Sequence, residues 1–99
     1  MKIDIAKSGN EKVINIEGII KSSENTQNFI NAIDSALKDS KNLTINIKDS
    51  FSVTSTAIGF LLQKVNVDKA NLTINVGNDR LYELFDMLEL INALNIKKS

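Results

Sequence analysis

Two six-residue segments of nearly identical spelling, Asn42-Leu43-Thr44-Ile45-Asn46-Ile47 and Asn71-Leu72-Thr73-Ile74-Asn75-Val76, do most to limit what this chain can become. Each alternates polar and apolar residues without a break, the period of a strand with one dry and one wet face. Between them Ile58, Leu61, Leu62 and Val65 recur at helical spacing. A strand, a helix and a strand in that order make a right-handed crossover, so the two strands are parallel. Parallel strands covered on both faces read as unbroken apolar runs, and these do not. Leu43, Ile45, Ile47, Leu72, Ile74 and Val76 are therefore expected to meet the helices, while Thr44, Asn46, Thr73 and Asn75 line an open face. Asn, Ile and Lys abound throughout, so compositional bias rather than an internal repeat accounts for the likeness of the two segments.

Around this unit the remaining elements fall into place. Lys2–Ala6 and Lys12–Ile16, joined by the turn residues Ser8-Gly9-Asn10, read as an antiparallel hairpin. Ser22 or Ser23 offers a hydroxyl cap, Glu24 suits the positive end of a helix dipole, and Phe29, Ile30, Ile33 and Leu37 make an apolar stripe ending near Lys38. After Gly77 and Asn78, Asp79 is placed to cap a third helix with Leu81, Leu84, Phe85 and Leu88 turned inward. Leu90 to Ile96 fits a short helix or an edge strand, and Lys97-Lys98-Ser99 reads as a solvated tail. The expected fold is α/β, with a four- or five-stranded mixed sheet that opens on a β-hairpin and carries its helices mainly on one face. A length of 99 residues, 42% of them apolar, allows one modest core. No proline or Gly/Ser-rich stretch marks a linker, so residues 1–99 read as a single domain.

Composition narrows the chemistry. Twelve acidic residues balance twelve basic ones, which leaves no net field to draw the chain onto nucleic acid or an anionic membrane. The expected partners are proteins, and the expected state is a monomer or weak dimer. There is no cysteine for a disulfide or thiolate site, and no histidine, the commonest general acid/base and zinc ligand. The glycines form no phosphate-cradling pattern. No enzymatic activity, cofactor or metal is expected. No run approaches the ~20 apolar residues of a membrane span, and no secretory leader is seen, so a cytoplasmic location is expected.

Function is expected in the segment that joins the third strand to the second helix. Ser50, Ser52, Thr54, Ser55 and Thr56 place five hydroxyls within seven positions. In open α/β sheets, binding sites lie beyond the carboxyl ends of the parallel strands, where this connection must sit. A helix start presents free backbone N–H groups and a partial positive charge, so a phosphate on Ser55 or Thr56 is tolerated there. Such a phosphate adds roughly −1.5 to −2 charges and can repel a docked partner. The plainer reading is that Thr54 or Ser55 is an N-cap, worth about 1 kcal/mol and requiring no function. Asp79, Glu83 and Asp86 read as a solvated acidic face, and Tyr82 and Met87 as surface residues able to join a contact patch.

The segment Thr54-Ser55-Thr56-Ala57-Ile58-Gly59 also resembles the Asp-Ser-Ser-Gly-Leu-Gly motif that opens the second helix of STAS domains, the fold of bacterial anti-sigma factor antagonists. Gly18-Ile19-Ile20-Lys21 is similar to that family's Gly-Glu-Leu-Asp turn, and Leu84-Phe85-Asp86-Met87 to its late Leu-Phe-Asp-Met helix. The resemblance covers nearly the whole chain. It implies a switch that binds an anti-sigma factor serine kinase or another signalling protein, with Ser55, followed by Thr56, as the phosphoacceptor candidate. It further implies a partner surface of Lys21, Phe51, Val53, Thr54, Ala57 and Ile58. Three positions depart from the motif: Thr54 stands for its Asp, Ala57 for its Gly, and Lys21 for the Asp of the turn. The departures favour an alternative, a STAS module that is never phosphorylated and serves as scaffold or accessory subunit of a signalling or transport complex.

Overall fold

The computed structural model of the chain describes residues 1–99. Its elements are β1 (Lys2–Ser8), β2 (Glu11–Glu17), α1 (Ser23–Leu37), β3 (Asn42–Ile47), α2 (Ser55–Asn66), β4 (Asn71–Val76), α3 (Asp79–Met87) and β5 (Ile96–Lys98). The five strands pair in chain order, β1 antiparallel to β2 and every later pair parallel. Each parallel pair is bridged by one helix, and all three crossovers step in the same direction across the sheet. Right-handed crossovers that keep stepping one way deliver every helix to the same face, so the other face stays open.

The alternation of the strands decides which side chains meet the helices. Ile14 and Ile16 of β2, Leu43, Ile45 and Ile47 of β3, and Leu72, Ile74 and Val76 of β4 are buried, and they join Phe29, Ile33, Leu61, Leu81 and Phe85 from the helices in one core. On the open face the asparagines of three strands stand in register and form a hydrogen-bonded row. The Asn75 amide donates to Asn46 Oδ1 at 2.8 Å, and the Asn46 amide donates to Asn15 Oδ1 at 2.8 Å. Thr44 and Glu11 are hydrogen-bonded on the same face. Shifting a strand by one residue would drive these amides into the core, so the row and the core specify the same register.

Helix starts follow capping chemistry. Ser22 caps α1, accepting from Asn25 N at 2.9 Å, and Thr54 caps α2. The third cap differs from the sequence expectation: Asn78, not Asp79, caps α3, because its extended backbone lets Oδ1 accept from Arg80 N and Leu81 N. Asp79 is the first helical residue. The inward stripe of α2 is also rotated, with Ala57 and Leu61 buried and Ile58, Leu62 and Val65 on the flanks of the core. Leu88, expected to face inward, follows the end of α3 and is 47% exposed.

At the chain's end, turns through 91–95 lead into an edge strand, so Lys97 and Lys98 belong to β5 and not to a solvated tail. Lys98 Nζ lies 2.9 Å from Asp79, whose carboxylate accepts its hydrogen bond and raises its pKa above the usual lysine value. At the far end of the helical layer, Lys64 of α2 reaches Asp34 of α1 and Asp68, both at 3.0 Å. Hydrogen bonds to these two carboxylates likewise raise the Lys64 pKa.

Candidate functional site

The parallel strands β2, β3 and β4 end at Glu17, Ile47 and Val76, and the connections that follow meet above the sheet. They are tied to one another by a few short contacts. Gly77 N donates to Ile47 O at 2.9 Å, and Lys48 N to Ile16 O at 3.1 Å, which continues the ladder past the strand ends. A Cβ on Gly77 would lie 2.6 Å from the carbonyl oxygen of Lys48, so only glycine lets the β3 and β4 exits run this close. Gly18, at φ +98, turns the β2 exit and donates to Asp49 Oδ2 at 3.3 Å.

The strongest tie is Ser50, one of only two buried polar residues. Its hydroxyl accepts from Ile20 N at 3.0 Å and donates to Ser52 O at 2.6 Å. One small side chain thereby pins the β2–α1 loop to the β3–α2 loop and bends the latter toward the start of α2. Thr26, the other buried polar residue, lies on α1 and exchanges a hydrogen bond of 2.8 Å with the hydroxyl of Thr54. Thr54 Oγ1 also accepts from Ala57 N at 3.2 Å, so a single threonine caps α2 and fastens it to α1.

Ser55 and Thr56, the first two residues of α2, are exposed. No hydrogen bond engages either hydroxyl, which leaves both accessible. Lys21, Thr54 and Thr56 come together with Ser23, Thr26 and Gln27 around a hollow of about 240 Å³ between the starts of α1 and α2. The lining carries one cation and no carboxylate. Phe51 lies elsewhere, 45% exposed with the Arg80 guanidinium 5.8 Å from its ring centre, so the same loop also offers an aromatic–cation pair toward α3.

Two residues of the expected partner surface are buried in the free chain: Ala57 lies fully buried beneath the first turn of α2 and Val53 is 8% exposed, and both belong to the core. Ile58 is half-buried and packs against the core. In turn, Thr26 and Arg80 belong to the site although their residue types carry no local signal, and Ser50, part of the hydroxyl-rich segment, acts on a loop thirty positions away, as Thr26 does on one 28 away. Asp79, Glu83 and Asp86 are all exposed along α3.

The Thr26–Thr54 contact is testable. Thr54→Val removes the cap and strands the buried Thr26 hydroxyl, and is expected to lower stability by about 1–2 kcal/mol. Adding Thr26→Val should cost little more, because the stranded group is gone; a double-mutant cycle by urea denaturation reads the coupling.

No family model matches the chain, and no curated protein is similar to it. Among solved structures it is similar to the crystal structure of an anti-sigma factor antagonist from Mycobacterium paratuberculosis, with a TM-score of 0.75 over 97% of this chain and 84% of that one. Sequence identity between the two is 10%. The α/β fold expected from the resemblance, a mixed sheet of STAS type with three helices, is thus the fold of the chain. No helix is long and apolar enough to cross a membrane.

Proposed function

We propose that the chain is a protein-interaction switch of the anti-sigma factor antagonist kind, which binds an anti-sigma factor serine kinase across the start of α2 and accepts a phosphate on Ser55. The observation that carries this reading is the pair of exposed hydroxyls, Ser55 and Thr56, on the first turn of a helix just beyond the carboxyl end of a parallel strand. Free N–H groups of that turn favour a dianion there, so the phosphorylated chain stays folded; the Lys21 ammonium shares its hollow with Thr56 and not with Ser55. The added charge then opposes a partner seated over Phe51, Thr54 and Ile58. The fold shared with an anti-sigma factor antagonist supports the same general role.

Incubation with a cognate anti-sigma factor kinase and ATP is expected to add one phosphate, read by intact-mass spectrometry. Ser55→Ala should abolish the gain and Thr56→Val should leave it. Equal modification of Ser55→Ala and the parent protein would exclude Ser55 as acceptor, and no modification of either would reject the switch.

A second reading, a constitutive scaffold or accessory subunit, is supported by one feature. Where the motif has an Asp, Thr54 spends its hydroxyl on Thr26 and Ala57, and no carboxylate lines the hollow to orient an acceptor or meet a kinase-bound metal. Recovery of a transporter or scaffold protein without any kinase, in a pull-down from native extract, would favour this reading over the first.

A further inference from the structure

The two margins of the sheet are built differently. At one, β5 is only three residues long, and its Lys98 is drawn to Asp79. At the other, β1 runs for seven residues with a strand on one side only, so the outer edge of its backbone is unpaired. Long unpaired edges are templates for a further strand.

The side chains of β1 say which strand would fit. On the helix side, Ile3 and Ile5 stand opposite Ile16 and Ile14, both buried, yet Ile5 is 44% exposed and Met1 41%. The apolar layer of the core therefore continues past its last cover. On the open side, Lys2 and Asp4 have opposite charges and neither takes part in an ion pair within the chain. A second β1 laid antiparallel about a two-fold axis through Ile3 matches all of these at once. Lys2 of each copy faces Asp4 of the other, Ile3 faces Ile3, and Met1 faces Ile5. With the axis perpendicular to the sheet, the helices of both copies stay on the same side and the apolar layer becomes continuous. Other registers fail: centring on Asp4 opposes two carboxylates, and centring on Ile5 sets Lys7 against Ile3 and leaves Lys2 and Asp4 unmatched.

We propose that β1 is a self-association edge through which two copies of this chain join their sheets, in the register that pairs Lys2 with Asp4. The contact is small, so the dimer is weak. It lies on the opposite margin of the sheet from α3 and uses none of the residues at the start of α2, so its fate is separable from that of the switch.

Sedimentation equilibrium over a concentration series tests it, because the charge pattern can be inverted one half at a time. Lys2→Asp leaves a chain with two acids in the row, and Asp4→Lys one with two bases; both positions are exposed, so both variants fold. Each variant alone is expected to dimerise about tenfold more weakly than the parent, since two symmetric pairs become repulsive. An equimolar mixture of the two should associate at least as tightly as the parent, as a heterodimer. A parent chain that is monomeric up to about 1 mM, the weak end of specific association, overturns the proposal. So do variants that self-associate as well as the parent, or a mixture no tighter than its components.

Discussion

Ala57→Asp is expected to lower the stability of the domain by about 3–4 kcal/mol, although helix-start chemistry alone favours the change. An acidic residue in the first turn of α2 would gain roughly 0.3–1 kcal/mol from the helix dipole. Ala57, however, has no exposed surface, and its neighbours in the core are apolar. An unpaired charge placed there costs about 3–5 kcal/mol, which outweighs the dipole. Burial raises the pKa of the introduced carboxyl, so its penalty is largest at neutral pH and shrinks as acid neutralises it. Set against the 5–15 kcal/mol typical of a folded domain, the loss lowers the melting temperature by roughly 15 °C or more. Thermal denaturation followed by circular dichroism decides the matter. A melting temperature within two or three degrees of the parent, about what measurement scatter and a surface substitution produce, would return Ala57 to the partner surface. Phe51→Asp serves as the contrast, since Phe51 is exposed and its loss should leave stability nearly unchanged while weakening any partner contact.

The second large effect is expected at Ser50. Ser50→Ala removes the hydroxyl and adds no atom to a packed site, so the amide of Ile20 loses its acceptor in a buried setting and the carbonyl of Ser52 loses its donor. Leaving such groups unpaired costs about 1–3 kcal/mol each, and a total near 3 kcal/mol is expected. Amide hydrogen exchange should locate the damage, with Ile20 exchanging faster while the strand amides of β3 and β4 change only with global stability. Because Ser50 spaces the β2–α1 loop from the β3–α2 loop, partner binding should also fall although no exposed side chain has changed. Unaltered exchange at Ile20 would mean that the two loops are held by something else.

These two residues mark how far local patterns reach. Strands β3 and β4 were legible because alternation records burial residue by residue, and α1 because its cap and stripe agree. For α2 the existence of the helix was clear and its phase was not. Large apolar residues dominate any count of periodicity, so Ile58, Leu61, Leu62 and Val65 suggested the inward face; Leu61 is indeed buried, but it shares that face with the small Ala57 while the other three lie on its flanks. Val53 entered the expected partner surface only through the family resemblance, and the loop that carries it folds inward and leaves it 8% exposed. Ser50 stood in the hydroxyl-rich segment, but its tie to Ile20 was beyond reach, as was the part played by Thr26, because both depend on partners in other loops and helices. The last strand gave little warning, since it has three residues and is entered through Asn95 at φ 53, with its side-chain amide on the Leu72 carbonyl. The exposure of Ser55 and Thr56 followed from their place at a helix start and needed no long-range information.

Pairing the strands in the order in which they occur along the chain also bears on how the chain finds its fold. Every strand docks against the one made just before it, so no loop closure ever spans more than one helix and its connections. Contacts of short sequence separation are formed at low entropic cost and give comparatively fast folding for a sheet protein. Growth can then proceed outward from the β2–α1–β3 unit, one crossover at a time, with β5 the natural last arrival.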